Sequence, residues 1–245
     1  SIAVTSFPAL VNSGTTLSLQ SAEGKTVHAV DYTDKWYGDA AKAKGGYSLE
    51  MIDETNRCTG AQNWSASKNG RGGRPGKLNS IAASNKDETA PSLVNAIVVN
   101  PNTLLINFSE TLDSSKAVAF ANYRLQPDIE ITGVKALNPL LNSVELQLAQ
   151  PIDSNTVYTL TVVQVADCSG NILGTRNRLP IGLPIGIEPG DIVINEILFN
   201  PKPAGSDYIE LYNRSQKVLD VSQLQIANRA SNGQMANIRK TSLFP

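Results

Sequence analysis

The chain has 245 residues, 41% hydrophobic and 18% charged, enough for ordinary cores and, at the usual domain size, for two domains. A formal net charge of −1 supplies no global field that would draw the chain to nucleic acid or an anionic membrane, and no apolar run approaches the ~20 residues of a membrane-spanning helix. Two cysteines and one histidine exclude a four-cysteine zinc site and leave little for histidine-based metal or triad chemistry.

The opening residues SIAVTSFPAL lack the basic stretch and long apolar core of a signal peptide. They read like the middle of a strand pair, so a mature or trimmed piece of a longer protein is expected. Ile2 with Val4, Leu17 with Leu19, and Val27, Ala29 and Tyr32 give short period-two runs. The turn-forming groups Asn12-Ser13-Gly14 and Glu23-Gly24-Lys25 separate them, and LSLQSAEGKTVHAVDY reads as a hairpin. Tyr47–Asp53 is the next candidate strand, and the remainder up to Ser80 is rich in turns.

A linker at Ile81–Thr89 leads into a second unit. Its strand-like runs are Val94–Val99, Thr103–Phe108, Ile129–Leu137, Ser143–Leu148 and Tyr158–Gln164. Turns are expected at Asn100-Pro101-Asn102, Asn138-Pro139 and Asp153-Ser154-Asn155. Ser114–Tyr123 predicts a short helix capped by Asp113 or Ser114. The connector Leu179–Gly190 repeats Pro and Gly, which bars a regular central strand and predicts an extended strap. Two strand-like runs follow, Ile192–Phe199 and Tyr208–Tyr212, joined by a loop rich in Pro, Gly and Ser.

The pattern INE…DYIELYNRS followed by VLDVSQLQIANR resembles the opening half of a bacterial lamin-tail domain. The leucine hairpin with its Asp-Tyr, the SLE strand, the Asn63-Trp64 pair and the closing Gly73–Ser80 resemble the second half of the same domain. Arg74 departs from the small residue usual there. The central segment, with Ala90-Pro91-Ser92-Leu93, Phe108–Asp113 and Val165–Asn171, resembles bacterial immunoglobulin-like domains. These resemblances imply an all-β chain of two immunoglobulin-like β-sandwiches. Residues 1–86 would form the second half of a lamin-tail-like sandwich and 87–185 an immunoglobulin-like sandwich. Residues 186–245 would complete the first unit, within the chain or from a neighbouring one. A third arrangement is a fragment of a chain with complete lamin-tail domains on each side. Exposed strand edges and apolar faces disfavour two loose halves, and completion within the chain is favoured because straps can bridge the termini of the central sandwich.

Few residues suggest chemistry. Glu196, Asp207 and Glu210 could converge on a divalent cation as a metal-assisted hydrolase. The structural reading is stronger: strict alternation puts Glu196 on a face with Ile194 and Leu198, paired with a donor such as Arg214. Asp31, Asp34, Asp39 and Asp53 have no regular calcium-loop spacing and read as turn formers. His28 lacks Ser or Asp partners at a telling spacing. Lys68–Lys77 is basic and Gly-rich and reads as a flexible solvated loop. Trp36 and Tyr37 are candidate ligand-contact aromatics for glycan stacking, with core packing as the default. Trp64 is expected to plug an end of the first unit, and Pro75-Gly76 to set a tight turn. Cys58 and Cys168 are either two free thiols or a disulfide pinning the first unit to the second.

Together these readings imply a non-catalytic module of a secreted or surface protein, acting as spacer, adhesion or substrate-targeting unit. Its location would be extracellular, at the cell surface or in the periplasm. No cofactor is expected. The partner would be a protein or glycan, or a second copy through domain-swapped self-association.

Overall fold

The computed structural model describes residues 9–154, 156–203, 205–229 and 235–240. The runs at Ile2 and Val4 and the final TSLFP lie outside the described residues, as does Asn155 of the expected turn.

The first unit is two small antiparallel sheets. Strand β1 (Gly14–Gln20) pairs with β2 (Thr26–Thr33) across the expected turn. Leu17 lies opposite Val30, and Leu19 opposite His28. The second sheet pairs β3 (Leu49–Met51) with β4 (Trp64–Ala66), a strand hidden in a stretch that reads as turns. The loop at Lys68–Lys77 is docked rather than free. The Gly72 carbonyl accepts from Ser48 N at 2.7 Å. A Cβ at Gly72 would stand 1.8 Å from the Gly46 oxygen, and its φ of +85° favours glycine. In the turn closed by Lys77 N to Arg74 O, Gly76 has φ +74°. Proline at the second position and a left-handed glycine at the third are the requirements of a type II turn.

The central unit carries the main core. Strands β5 (Leu93–Asn100) and β6 (Thr103–Phe108) belong to a four-stranded sheet with β8 (Ile131–Ala136) and β9 (Ser143–Leu148), in the order β5-β6-β9-β8. Strands β7 (Tyr123–Gln126), β10 (Tyr158–Val162) and β11 (Arg178–Ile181) form a second sheet in the order β11-β10-β7. Both sheets contribute to one buried cluster: Leu104, Ile106, Val144 and Leu146 from the first, Leu125 and Leu160 from the second. Pro180 sits on β11 at a sheet edge, where the missing N–H interrupts no ladder.

The helical expectation over Ser114–Tyr123 holds only in part. Helix α1 covers Ser114–Ala117, with Asp113 as its cap, accepting from Ser115 N and Lys116 N. A 3-10 turn at Phe120–Asn122 follows, and Tyr123 already opens β7. The cause is local: Asn122 Nδ2 donates to Lys116 O, and the buried Tyr123 hydroxyl donates to Ala117 O. Both bonds close the chain before a second α-turn forms.

The tail contains β12 (Ile192–Leu198) paired with β13 (Tyr208–Asn213), and β14 (Gln225–Arg229) paired with β15 (Met235–Lys240). Among the described residues, neither pair hydrogen-bonds to a strand of the first unit, so the sheet shared within one chain is not formed there. The tail is anchored elsewhere. Ile185 N donates to Val218 O, and Asp220 N to Ile185 O. Lys217 Nζ lies 3.2 Å from Glu188 and 3.3 Å from Asp191. The strap from β11 thus holds the tail by its own neighbours. The described structure is accordingly mostly β, in several small antiparallel sheets with one short helix.

Candidate functional site

Three features stand out: a buried polar knot, a junction between the first two units, and two exposed apolar faces.

The knot is built on Asn63, fully buried at the end of a short 3-10 turn. Its Nδ2 donates to Asp53 O at 2.7 Å and to Asn56 O at 2.5 Å. Its Oδ1 accepts from Asp53 N and from Asn85 Nδ2, each at 3.0 Å. Beside it, buried Glu50 on β3 receives the backbone N–H and the hydroxyl of Ser80 on Oε2, both at 2.7 Å. Burial pushes the Glu50 carboxyl up. The hydroxyls of Ser80 and Ser67 and the N–H groups of Ser80 and Ile81 together outweigh burial and hold it below the usual range. Asn79 Nδ2 donates to Met51 O, which completes the attachment of the closing segment to the SLE strand. Asp53 is held below the usual range by the N–H of Asn85 and then by the hydroxyl and N–H of Thr55.

At the junction, Cys58 and Cys168 form a disulfide with a Cα separation of 5.6 Å. Beside it opens a cleft of about 170 Å³ whose lining includes His28, Trp36 and Arg57 from the first unit, and Glu110 and Asn142 from the second. Asp87 on the linker, Glu110 after β6 and Asp167 after β10 each bring a carboxylate oxygen within 4.8 Å of the others. Asp167 is fully buried and accepts from Ser169 N, Asn171 N and Asn171 Nδ2. Burial, then the charges of Asp87 and Asp167, push Glu110 up to about 7. Asp87 stands in the linker Ile81–Thr89, and Glu110 and Asp167 in the segments Phe108–Asp113 and Val165–Asn171, yet nothing in their spacing announces a cluster. The linker carries Asp87 and Glu88, Phe108–Asp113 carries Glu110 and Asp113, and Val165–Asn171 carries Asp167, all outside the strands.

The apolar faces belong to the hairpins. A bulge between Ile194 and Glu196 breaks the alternation of β12. Strict alternation would place Glu196 with Ile194; instead the register puts Ile194, Ile197, Ile209 and Leu211 on one face, and Glu196 with Leu198 on the other. Ile194 and Ile197 are 58% and 56% exposed, and Phe199 is 83% exposed. In the first unit an open groove of about 480 Å³ is lined by Leu10, Leu17, Val30, Tyr32, Leu49 and Trp64, among others.

The remaining sequence candidates fall as follows. Glu196 is exposed and accepts from the Tyr208 hydroxyl; among the described residues it makes no ion pair with Arg214. Glu210 accepts from Asn195 Nδ2, and Asp207 joins neither in a close carboxylate group among the described residues. Asp31 accepts from the Thr16 hydroxyl, and Asp39 caps Ala41 N and Lys42 N. Trp36 and Tyr37 are half-buried. Trp36 packs at 6.2 Å between ring centroids on Trp64, and the Tyr37 hydroxyl donates to Tyr47 O.

No protein-family model and no curated protein matches the chain. Among solved structures, the chain is distantly similar to the N-terminal part of the bacterial S-layer protein SbsC. That similarity has a TM-score of 0.36 at 13% identity, covering 61% of this chain and 38% of the other. Domains 1–6 of the same S-layer protein give 0.36 at 15% identity, covering 61% and 22%. The chain spans well under half the length of these structures, and the likeness is one of backbone alone.

Proposed function

We propose that the chain is a non-catalytic structural module of a secreted or cell-surface protein. The central unit serves as an immunoglobulin-like spacer sandwich, and the flanking hairpins join it to another protein chain. The observation that carries this reading is the exposure of Ile194, Ile197, Phe199 and Ile209 on a hairpin with no further strand beside it among the described residues. A contiguous apolar face of this kind marks an interaction surface, and an isolated two-stranded hairpin is marginal in water without a partner. The disulfide between Cys58 and Cys168 supports an oxidising compartment outside the cytosol. A second copy is the partner that the chain itself suggests. The groove at Leu17, Val30 and Trp64 is apolar and open, so the tail of one copy completes the first unit of the next. Such a contact is head-to-tail and grows into rings or filaments. Sedimentation velocity across a concentration series tests this. The wild-type chain self-associates, and Ile197→Lys abolishes the association without altering the far-ultraviolet circular dichroism. A wild-type chain that stays monomeric throughout overturns self-association.

A further inference from the structure

We propose that the outer face of the β11-β10-β7 sheet binds an anionic polysaccharide, with Arg124, Arg176 and Arg178 holding its carboxylates. Strand alternation fixes the face. Tyr123, Leu125, Leu160, Val162 and Ile181 turn inward to the core. That leaves Arg124 and Gln126 of β7, Thr159 and Thr161 of β10, and Arg178 and Pro180 of β11 on the other side.

The register sets these side chains in rows. Thr161 lies opposite Arg178 on one neighbouring strand and Arg124 on the other, so the two arginines flank a threonine. At the usual strand spacing their Cα atoms stand about 10 Å apart. In the next row Thr159 lies between Pro180 and Gln126. Val162 N donates to Asn177 O, so the ladder continues past the start of β11. Arg176 then falls two residues from Arg178 on the same side, and both line an open depression with Leu93 and Thr175.

Nothing on this face neutralises the charge. Strands β7, β10 and β11 contain neither Asp nor Glu. All three arginines are exposed, and among the described residues none makes an ion pair or a side-chain hydrogen bond. Asp128 and Glu130 share a depression with Arg124 but form no ion pair with it.

What the face lacks decides the class of partner. No aromatic ring points outward from the three strands, so a nucleic-acid base has nothing to stack on, and the net charge of −1 supplies no field for a duplex. Its centre is Thr161, not the large aromatic or apolar anchor of a protein interface. What it offers is guanidinium forks, which take carboxylates bidentately. Between them stand the hydroxyls of Thr159 and Thr161 and the amide of Gln126, which suit sugar hydroxyls. This reading is independent of the contact between copies.

The test is isothermal titration of the full chain at low ionic strength with sodium polygalacturonate, and in parallel with dextran, poly-L-glutamate and double-stranded DNA. Polygalacturonate binds saturably, dextran does not bind, and poly-L-glutamate and DNA bind more weakly. Sodium chloride at about 1 M, where the screening length is about 3 Å, removes the binding. Arg124→Gln with Arg178→Gln weakens it roughly tenfold, the range expected of two exposed charged contacts. Arg71→Gln with Arg74→Gln makes the same change of charge in the other basic segment and leaves the affinity unchanged. Both double variants match the wild-type circular dichroism and thermal melt, because the substituted side chains are exposed. Failure of polygalacturonate to bind overturns the proposal, as does an equal loss in the two double variants. Binding of poly-L-glutamate or DNA as tight as that of the polysaccharide also overturns it, and assigns the arginines to an acidic protein or a nucleic acid.

Discussion

Replacing Asn63 by alanine tests the buried knot. The side chain makes four hydrogen bonds, to Asp53 N, Asp53 O, Asn56 O and Asn85 Nδ2. Asn63 is fully buried, so water cannot readily take its place. At about 1 kcal/mol net for each bond, Asn63→Ala costs the first unit roughly 3–5 kcal/mol. That is a large part of the 5–15 kcal/mol typical of a folded domain. The assay is specific to this unit, because the chain's two tryptophans, Trp36 and Trp64, both lie in it and touch each other. Urea unfolding followed by tryptophan fluorescence therefore reports the first unit, and circular dichroism adds the central one. The fluorescence midpoint falls steeply in Asn63→Ala, while the part of the dichroism transition that belongs to the central unit stays in place. A loss under about 1 kcal/mol would mean that the four bonds contribute no more than one ordinary surface contact, and would refute the reasoning.

Further predictions follow from the same units. Serine at both Cys58 and Cys168 opens a loop with a sequence separation of 110, which lowers stability by roughly 4–5 kcal/mol in the chain-entropy model; thermal melts with and without reductant measure it. The Glu50 carboxyl lies below its ordinary 4.5 in the folded chain, so the unfolded chain takes up its proton first as pH falls. Its stabilisation is therefore full above the unfolded value and is lost as pH drops through the folded one. Urea midpoints by fluorescence decline more steeply with acid in wild type than in Glu50→Gln. Gly72→Ala sets a Cβ against the Gly46 oxygen at a left-handed position, costing about 1–3 kcal/mol and detaching the loop from Ser48, which limited proteolysis detects.

The parts of the fold legible in the sequence were those governed by local rules. Period-two runs located β1 and β2, strand-like runs located β6, β9 and β13, and the choice of Asp113 or Ser114 as cap marked the helix start, while the expected strap at Leu179–Gly190 begins inside edge strand β11. What escaped depended on single-residue departures or long-range contact. The bulge before Glu196 shifts Ile194 to the other face, and no residue type there announces it. The composition of Ser114–Tyr123 favours a helix through Tyr123, yet Tyr123 starts a strand whose alternate residues Tyr123 and Leu125 are buried. The carboxylate trio is assembled by topology, from a linker and two strand ends distant in sequence.

The two flanking hairpin units are proposed to meet between copies. Hydrogen–deuterium exchange on the intact chain at low and high protein concentration tests it most directly. The account predicts that protection rises together in 14–33 and in 192–213 as concentration increases, and that Ile197→Lys cancels both. Protection that stays constant at both ends, or rises at one end alone, contradicts it.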